Sequence, residues 1–278
     1  MLSAELEILI RTALEEDIGS GDITTSCTVS PGAQGEGRIV AKEPLVLAGI
    51  DVARQVFWAV NRELQVHIPL KDGSRANEGD TLLEVTGDLA AILAAERTAL
   101  NFLQRLSGIA TLTNAFVDKV KGTRARILDT RKTTPGYRLL EKAAVRLGGG
   151  YNHRFGLYDG VLIKDNHIVA AGSIRKALQA ALDSSSHTFR VEVEVETLEQ
   201  LDEAIAAGAH VVMLDNMDLH TMAAAVRRTK GKIPLEASGG ITLENVGEIA
   251  ATGVDLISVG ALTHSARAVD MSMEIQPA

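Results

Sequence analysis

The sequence predicts an α/β protein in two parts: an α+β unit with an antiparallel sheet over residues 1–107, then an incomplete parallel α/β barrel over 108–269. Three observations predict it. From Gly35 to Gly87 short apolar alternations are punctuated by the turns Lys71-Asp72-Gly73 and Glu78-Gly79-Asp80, with a single helical stretch, Asp51–Asn61, between them. Beyond Gly122 the rhythm changes to strand–helix–strand. Within that half one unit recurs: residues 203–215, EAIAAGAHVVMLD, and 248–260, EIAATGVDLISVG, repeat the same helix–Gly–strand pattern. Repeated βα units imply a parallel sheet, and closure into a barrel is its usual outcome.

Taken in order, Ser3 to Ile18 carries a helical stripe of Leu6, Leu9, Ile10, Ala13 and Leu14, with Ser3 as candidate cap. Asp22 is placed to cap a short helix after Gly21. Strands are expected at Arg38–Lys42, Leu45–Ala48, Leu64–Leu70 and Thr81–Val85. Asp88 to Lys121 reads as a long Ala- and Leu-rich helix broken at Ser107-Gly108, which sets the expected boundary. The second part offers strands at Arg126–Leu128, Val161–Ile163, Arg190–Val195, His210–Leu214, Ile233–Glu236 and Leu256–Val259. Helices fill the gaps at Tyr137–Leu147, Ser173–Leu182, Leu198–Ala207, Leu219–Thr229 and Leu243–Ala251, the third opened by a Thr197/Gln200 capping box. Six strands fall short of the eight usual for a closed barrel, so an open one is expected. The alternating segment within 270–277 is a candidate to rejoin the N-terminal sheet.

Bulk properties narrow the class. The chain has 278 residues and a net charge of −8, which argues against a nucleic-acid surface. Cys27 is the sole cysteine, which excludes an intrachain disulfide and suits a reducing cytoplasm. No apolar run reaches spanning length, and Met1–Glu16 carries acids where a leader would need bases, so neither membrane nor export is expected.

Against that acidic background the cations cluster where strands end. The first barrel strand runs into Asp129, Arg131 and Lys132, and the second into Lys164, Asn166 and His167, with His153 and Arg154 in the loop between. In parallel folds ligands bind at the carboxyl ends of strands, so this is the address of an anion site. The third strand sets Glu192, Glu194 and Glu196 on one face, and three carboxylates on an apolar interior would be costly without a function. The fourth ends in Asp215-Asn216. The fifth and sixth end in Ser238-Gly239-Gly240 and Ser258-Val259-Gly260, small residues leading towards helices, whose bare N–H groups suit a phosphate. Glu194 and Asp215 offer oxygen ligands to a divalent cation, for which Mg²⁺ is the natural choice on a phosphorylated substrate. Five cations beyond one phosphate cradle imply a diphosphate-bearing sugar together with a separate carboxylated acceptor. Arg97, on the long helix, reads equally well as a surface charge beside Glu96 or Asn101.

The runs DTRKTTPG (129–136), GGGYNHR (148–154), LIKDNH (162–167), VEVEV (191–195), MLDN (213–216) and EASGG (236–240) resemble the quinolinate phosphoribosyltransferase family, also called nicotinate-nucleotide pyrophosphorylase (carboxylating). EDIGSGDIT (16–24) and ERTALN (96–101) look like the same family, so the resemblance runs nearly end to end. It implies an N-terminal α+β sandwich domain, an open α/β barrel, a homodimer with shared sites, and a Mg²⁺-dependent pentosyl transfer in NAD biosynthesis. Quinolinate and phosphoribosyl pyrophosphate would give nicotinate mononucleotide, pyrophosphate and CO₂. The resemblance assigns quinolinate to Arg131, His153, Arg154 and Lys164, with Arg97 from the partner subunit. It assigns phosphoribosyl pyrophosphate to Lys132, Glu194, Asp215, Ser238, Gly239 and Gly260, beside which Gly240 and Ser258 complete the cradle. Lys132, Glu194 and Asp215 would carry catalysis, with Glu194 and Asp215 on the metal directly or through water. The alternatives are a phosphoribosyltransferase specific for nicotinate and a non-catalytic relative that binds an anion.

Overall fold

The computed structural model describes residues 4–278. The expected Ser3 cap lies outside them. The chain divides into two compact units.

The first unit takes the described part of Met1–Leu112 together with Pro135–Gly149 and Ala266–Ala278. It contains helices α1 (Ala4–Ile18), α2 (Ile23–Thr28) and α3 (Ile50–Val60), and strands β1 (Gln34–Ala41), β2 (Leu45–Val46), β3 (Gln65–His67), β4 (Arg75–Ala76) and β5 (Thr81–Asp88). Asp22 caps α2 by accepting from the Thr25 amide at 2.9 Å. The last strand of the chain, Met271–Pro277, pairs antiparallel with β1 in register Gly37↔Ile275, so the sheet runs from that strand through β1 and β5 to β3. β4, two residues between two turns, is too short to show as an alternation; it pairs with β2. Ile39, Leu47, Phe57, Leu83, Ile92 and Phe102 are wholly or almost wholly buried in the core of this unit.

The long helix α4 (Leu89–Lys119) does not break at Ser107-Gly108. Both residues serve its flank instead. The Ser107 hydroxyl accepts from the Ala48 amide at 3.0 Å and reaches the Ala48 carbonyl at 3.2 Å. At Gly108 a Cβ would lie 2.0 Å from the Arg267 carbonyl oxygen, so only glycine lets that backbone approach. The helix α5 (Arg138–Leu147) groups with this first unit, although chain order alone would assign it to the barrel. Its Tyr137 end stacks on Phe102 with ring centroids 5.7 Å apart, and its buried Glu141 accepts from Arg105 at 2.8 Å.

The second unit takes Thr113–Thr134 and Gly150–Ser265. Its strands are β6 (Arg126–Leu128), β7 (Val161–Ile163), β8 (Val191–Val195), β9 (Val211–Asp215), β10 (Leu235–Ser238) and β11 (Leu256–Ser258). Between them lie α6 (Asp165–Ala171), α7 (Ile174–Ser184), α8 (Leu198–Ala206), α9 (Leu219–Thr229) and α10 (Val246–Ala251); α11 (Ala261–His264) follows, and the returning strand is β12. The sheet is parallel in the order β6-β11-β10-β9-β8-β7, and β6 and β7 do not pair, which leaves an open barrel. Val193, Val212, Leu214, Ala237 and Ile257 are buried to 0% exposure, as strands covered on both faces require. The Thr197/Gln200 capping box forms at the start of α8. Among the described residues, no helix is long and apolar enough to cross a membrane.

Candidate active site

Tyr151 runs along the edge of β6 that faces away from β11. Its amide donates to the Ile127 carbonyl at 2.8 Å and its carbonyl accepts from the Asp129 amide at 3.1 Å. The Arg126 guanidinium lies over the Tyr151 ring, 4.9 Å from its centroid, and fixes the register. Asp129, fully buried, then accepts from Asn152 Nδ2 at 2.6 Å and from the His153 amide at 2.9 Å. A short polar loop is thus tied to a strand end, which delivers His153 and Arg154 to the same mouth as Arg131 and Lys132. The Thr130 hydroxyl accepts from the Lys132 amide at 3.1 Å, and the Thr263 hydroxyl donates to the Lys132 carbonyl at 2.7 Å, so that turn too is braced.

The other strand ends complete the ring. Lys164 follows β7, its amide donating to His167 Nδ1 at 2.9 Å, and its Nζ lies 3.0 Å from Glu194 Oε2 on β8. Asp215 ends β9. The next residue, Asn216, adopts φ of 51°, unusual for a side-chain-bearing residue, and donates through Nδ2 to Asp215 Oδ2 at 2.8 Å. Gly239 packs against it: φ is +95°, and a Cβ there would stand 2.1 Å from Asn216 Oδ1.

These strand ends surround one cavity of about 770 Å³. It holds Arg131, Lys132, His153, Arg154, Lys164, Glu194 and Asp215, with Ser238, Gly239, Gly240, Ser258 and Gly260. Arg97 does not line it; that residue is exposed on α4 in the first unit. Glu196, expected on the face of Glu194, lies beyond the end of β8 and is exposed.

The glycine turns differ from expectation in one respect. α10 starts at Val246, well after Gly240, and the intervening loop is held by Asn245, which donates to the Gly240 carbonyl at 2.9 Å and accepts from the Thr242 amide at 2.9 Å. Gly260 precedes α11, which has four residues. The bare amides of the turns, rather than helix dipoles, are what this end of the cavity offers an anion.

Charge is distributed unevenly. Partial burial, and next the like charge of Arg131, push the Arg154 guanidinium below its ordinary pKa, while Nη1 donates to the Gly160 carbonyl at 3.0 Å. Two neighbouring guanidinium groups on one cavity wall favour an anionic ligand, above all a carboxylate that can take both forks.

Of the group behind that wall, sequence reasoning placed Glu192 on the interior face of its strand but missed Glu236. Glu192 and Glu236 are buried in the barrel interior, on β8 and β10, the alternate strands that flank β9. His153 Nε2 lies 3.2 Å from Glu192 Oε2 and 3.7 Å from Glu236 Oε1. Burial, and then the neighbouring Glu192, push Glu236 up to about 8, well above the ordinary carboxylate range. A glutamate centred in an otherwise apolar parallel strand, as in LEASGG (235–240), was the available signal. Asn216, Thr242 and His264 also line the cavity and were not singled out as ligands.

The family model "quinolinate phosphoribosyl transferase, C-terminal domain" matches residues 109–274, and its N-terminal counterpart matches 22–107. The chain belongs to the quinolinate phosphoribosyltransferase family. A relative from Mycobacterium leprae, named nicotinate-nucleotide pyrophosphorylase (carboxylating), is 47% identical over 272 residues, covering 96% of this chain and 95% of its own length. A second, quinolinate phosphoribosyltransferase (decarboxylating) 1b of Nicotiana tabacum, is 41% identical, with 98% and 82% covered. The solved nicotinate-nucleotide pyrophosphorylase of Francisella tularensis superposes with a TM-score of 0.96 at 42% identity, covering 99% of this chain and 98% of that one. Membership thus extends over both units, and the family's sandwich-plus-open-barrel plan is the fold observed.

Proposed function

We propose that this chain transfers the phosphoribosyl group of phosphoribosyl pyrophosphate to the ring nitrogen of quinolinate, with loss of CO₂, giving nicotinate mononucleotide and pyrophosphate. It is a decarboxylating pentosyltransferase of NAD biosynthesis. One observation carries the reading: a single cavity has an arginine-rich wall (Arg131, Arg154), an amide-rich turn (Ser238 to Gly240, Gly260), and carboxylates (Glu194, Asp215) among its lining. Such a cavity suits two different anions at once.

In this reading the acceptor's two carboxylates are gripped by Arg131, Arg154 and Lys164, beside His153, and the 5′-phosphate lies on the Ser238–Gly240 and Gly260 amides, near Ser258. Attack by the pyridine nitrogen on ribose C1 builds positive charge on the sugar and negative charge on the departing pyrophosphate. Glu194 and Asp215 stabilise the first and Lys132 the second. The ring nitrogen of the alkylated intermediate is cationic beside the C2 carboxylate, so CO₂ can leave with the electron pair held at C2 next to that charge, and C2 then takes up a proton from solvent to give nicotinate mononucleotide. The protein's part in that step is to hold the ring and exclude water.

Glu194 and Asp215 are oxygen donors at the ends of adjacent strands, a set that fits Mg²⁺. When bound there, the ion would neutralise diphosphate charge. A homodimer in which Arg97 enters the partner's site, and a cytoplasmic place of action, belong to the same proposal.

The test is to incubate the chain with phosphoribosyl pyrophosphate, Mg²⁺ and either quinolinate or nicotinate. Mononucleotide is expected from quinolinate. Efficient use of nicotinate with no use of quinolinate would overturn the assignment.

A further inference from the structure

The buried carboxyl pair behind His153 is given no task by the chemistry above. Neither Glu192 nor Glu236 lines the cavity, whereas His153 does. Both are buried, and Glu192 Oε1 and Glu236 Oε1 lack a hydrogen-bond partner among the described residues. Two carboxyls in an apolar barrel interior cost stability unless they serve a neighbour.

The neighbour is His153, and its tautomer follows from geometry. Nδ1 accepts from the Arg154 amide at 2.7 Å, so it carries a lone pair there. In the neutral ring the hydrogen is then on Nε2, which faces Glu192 Oε2 at 3.2 Å and Glu236 Oε1 at 3.7 Å. His153, Glu192 and Glu236 also bring three potential metal-ligand atoms within 4.8 Å of one another. A metal would need Nε2 without its hydrogen, which would put the ring hydrogen on Nδ1, against the Arg154 N–H. The tautomer therefore favours a hydrogen-bonded clamp over a metal site.

We infer that Glu192 and Glu236 are positioning residues for the acceptor half of the site: Glu192 accepts the Nε2–H of His153 from behind, with the Glu236 carboxyl beside it, and through the Nδ1 contact they set the backbone from which the Arg154 guanidinium is presented. The chain of support is short. Glu192 and Glu236 fix the imidazole, the imidazole fixes the Arg154 amide, and Arg154 faces the cavity beside Arg131. The turn at Ser238 to Gly240 is held by the Asn216 amide, which donates to the Ser238 carbonyl at 2.9 Å, and by Asn245, so loosening the imidazole at Glu192 should be felt by the acceptor and not by the phosphate-bearing donor. Which ligand feels the loss rests on the acceptor reading given above; the tautomer does not.

Two measurements test this. The first reads the ring nitrogens of His153 by ¹⁵N NMR in the unliganded wild-type protein at neutral pH, assigned with His153→Gln. The expected result is an unprotonated Nδ1 and a protonated Nε2. An Nδ1–H tautomer, or ring signals that shift on adding Zn²⁺ alone, would overturn the clamp. The second compares Glu192→Ala with Glu192→Gln, whose amide oxygen still accepts the Nε2–H. Glu192→Ala should raise KM for quinolinate about tenfold with KM for phosphoribosyl pyrophosphate within about twofold, and Glu192→Gln should recover most of that loss. Unchanged KM values, or both rising together, would contradict the positioning role. Should quinolinate prove not to be the acceptor, the NMR result still decides the clamp, so the two failures can be told apart.

Discussion

Lys164 Nζ sits 3.0 Å from Glu194 Oε2, which joins the residue that follows β7 to a carboxylate near the end of β8. The pair links a cation assigned to the acceptor with a carboxylate assigned to the donor and its metal. Glu194→Gln should therefore leave quinolinate binding intact or tighter, because Lys164 is released, while it lowers turnover and raises the Mg²⁺ needed for half-maximal rate. Calorimetric titration with quinolinate alone, beside a Mg²⁺ dependence of the rate, checks both halves. Weaker quinolinate binding in the variant would count against the division of roles.

Arg154 and Arg131 line the same cavity, and burial and then the like charge of Arg131 depress the Arg154 pKa. Removing a charge-assisted contact of this kind costs about 1.5–3 kcal/mol, or roughly tenfold to 150-fold in affinity. Arg154→Ala should show that loss for quinolinate and little for phosphoribosyl pyrophosphate. Equal weakening of both in titration calorimetry would remove Arg154 from the acceptor wall.

Glu236 has a pKa raised from 4.5 to about 8 by burial and by Glu192, eased by His153 and Ser258. A carboxyl whose folded pKa lies above its unfolded one stabilises the fold fully below the unfolded value. That contribution is lost as pH rises through the folded value. The wild-type Tm should accordingly fall between pH of about 4.5 and about 8 through this group. Glu236→Gln is neutral at every pH and should flatten that part of the Tm profile. An identical slope in wild type and variant would show that Glu236 does not hold its proton in the folded chain.

Most of the barrel strands were legible as runs of apolar residues ending in polar ones, as at Ile127-Leu128-Asp129 or Val212-Met213-Leu214-Asp215, and β8 by its Val–Glu alternation. The cavity's cations and acids were legible for the same reason, since strand ends are where side chains leave the core. α6 was not, because Asp165 to Ala171 begins with residues that also suit a polar loop. The unbroken course of α4 was hidden because Ser107 and Gly108 answer to distant partners, Ala48 and Arg267, that local pattern does not reveal. Glu236 escaped for a related reason: its environment is made by β8 and the His153 loop, not by its own strand.

Arg97 is exposed on α4, and the shared-site proposal gives it to a second copy of the chain. Inactive Arg97→Ala subunits mixed with inactive Lys164→Ala subunits should then regain activity. With random exchange, about half of the dimers are mixed and each has one intact site, so activity should approach about a quarter of wild type per subunit. Subunits that demonstrably exchange yet stay inactive would return Arg97 to its own chain.

The central claim is that nitrogen alkylation and carboxylate loss occur in one cavity, and carboxyl-labelled quinolinate tests it most directly. With label in the C2 carboxyl, phosphoribosyl pyrophosphate and Mg²⁺, one labelled CO₂ should appear for each mononucleotide formed, and none when phosphoribosyl pyrophosphate is withheld. Mononucleotide without labelled CO₂, or CO₂ released without phosphoribosyl pyrophosphate, would contradict the account.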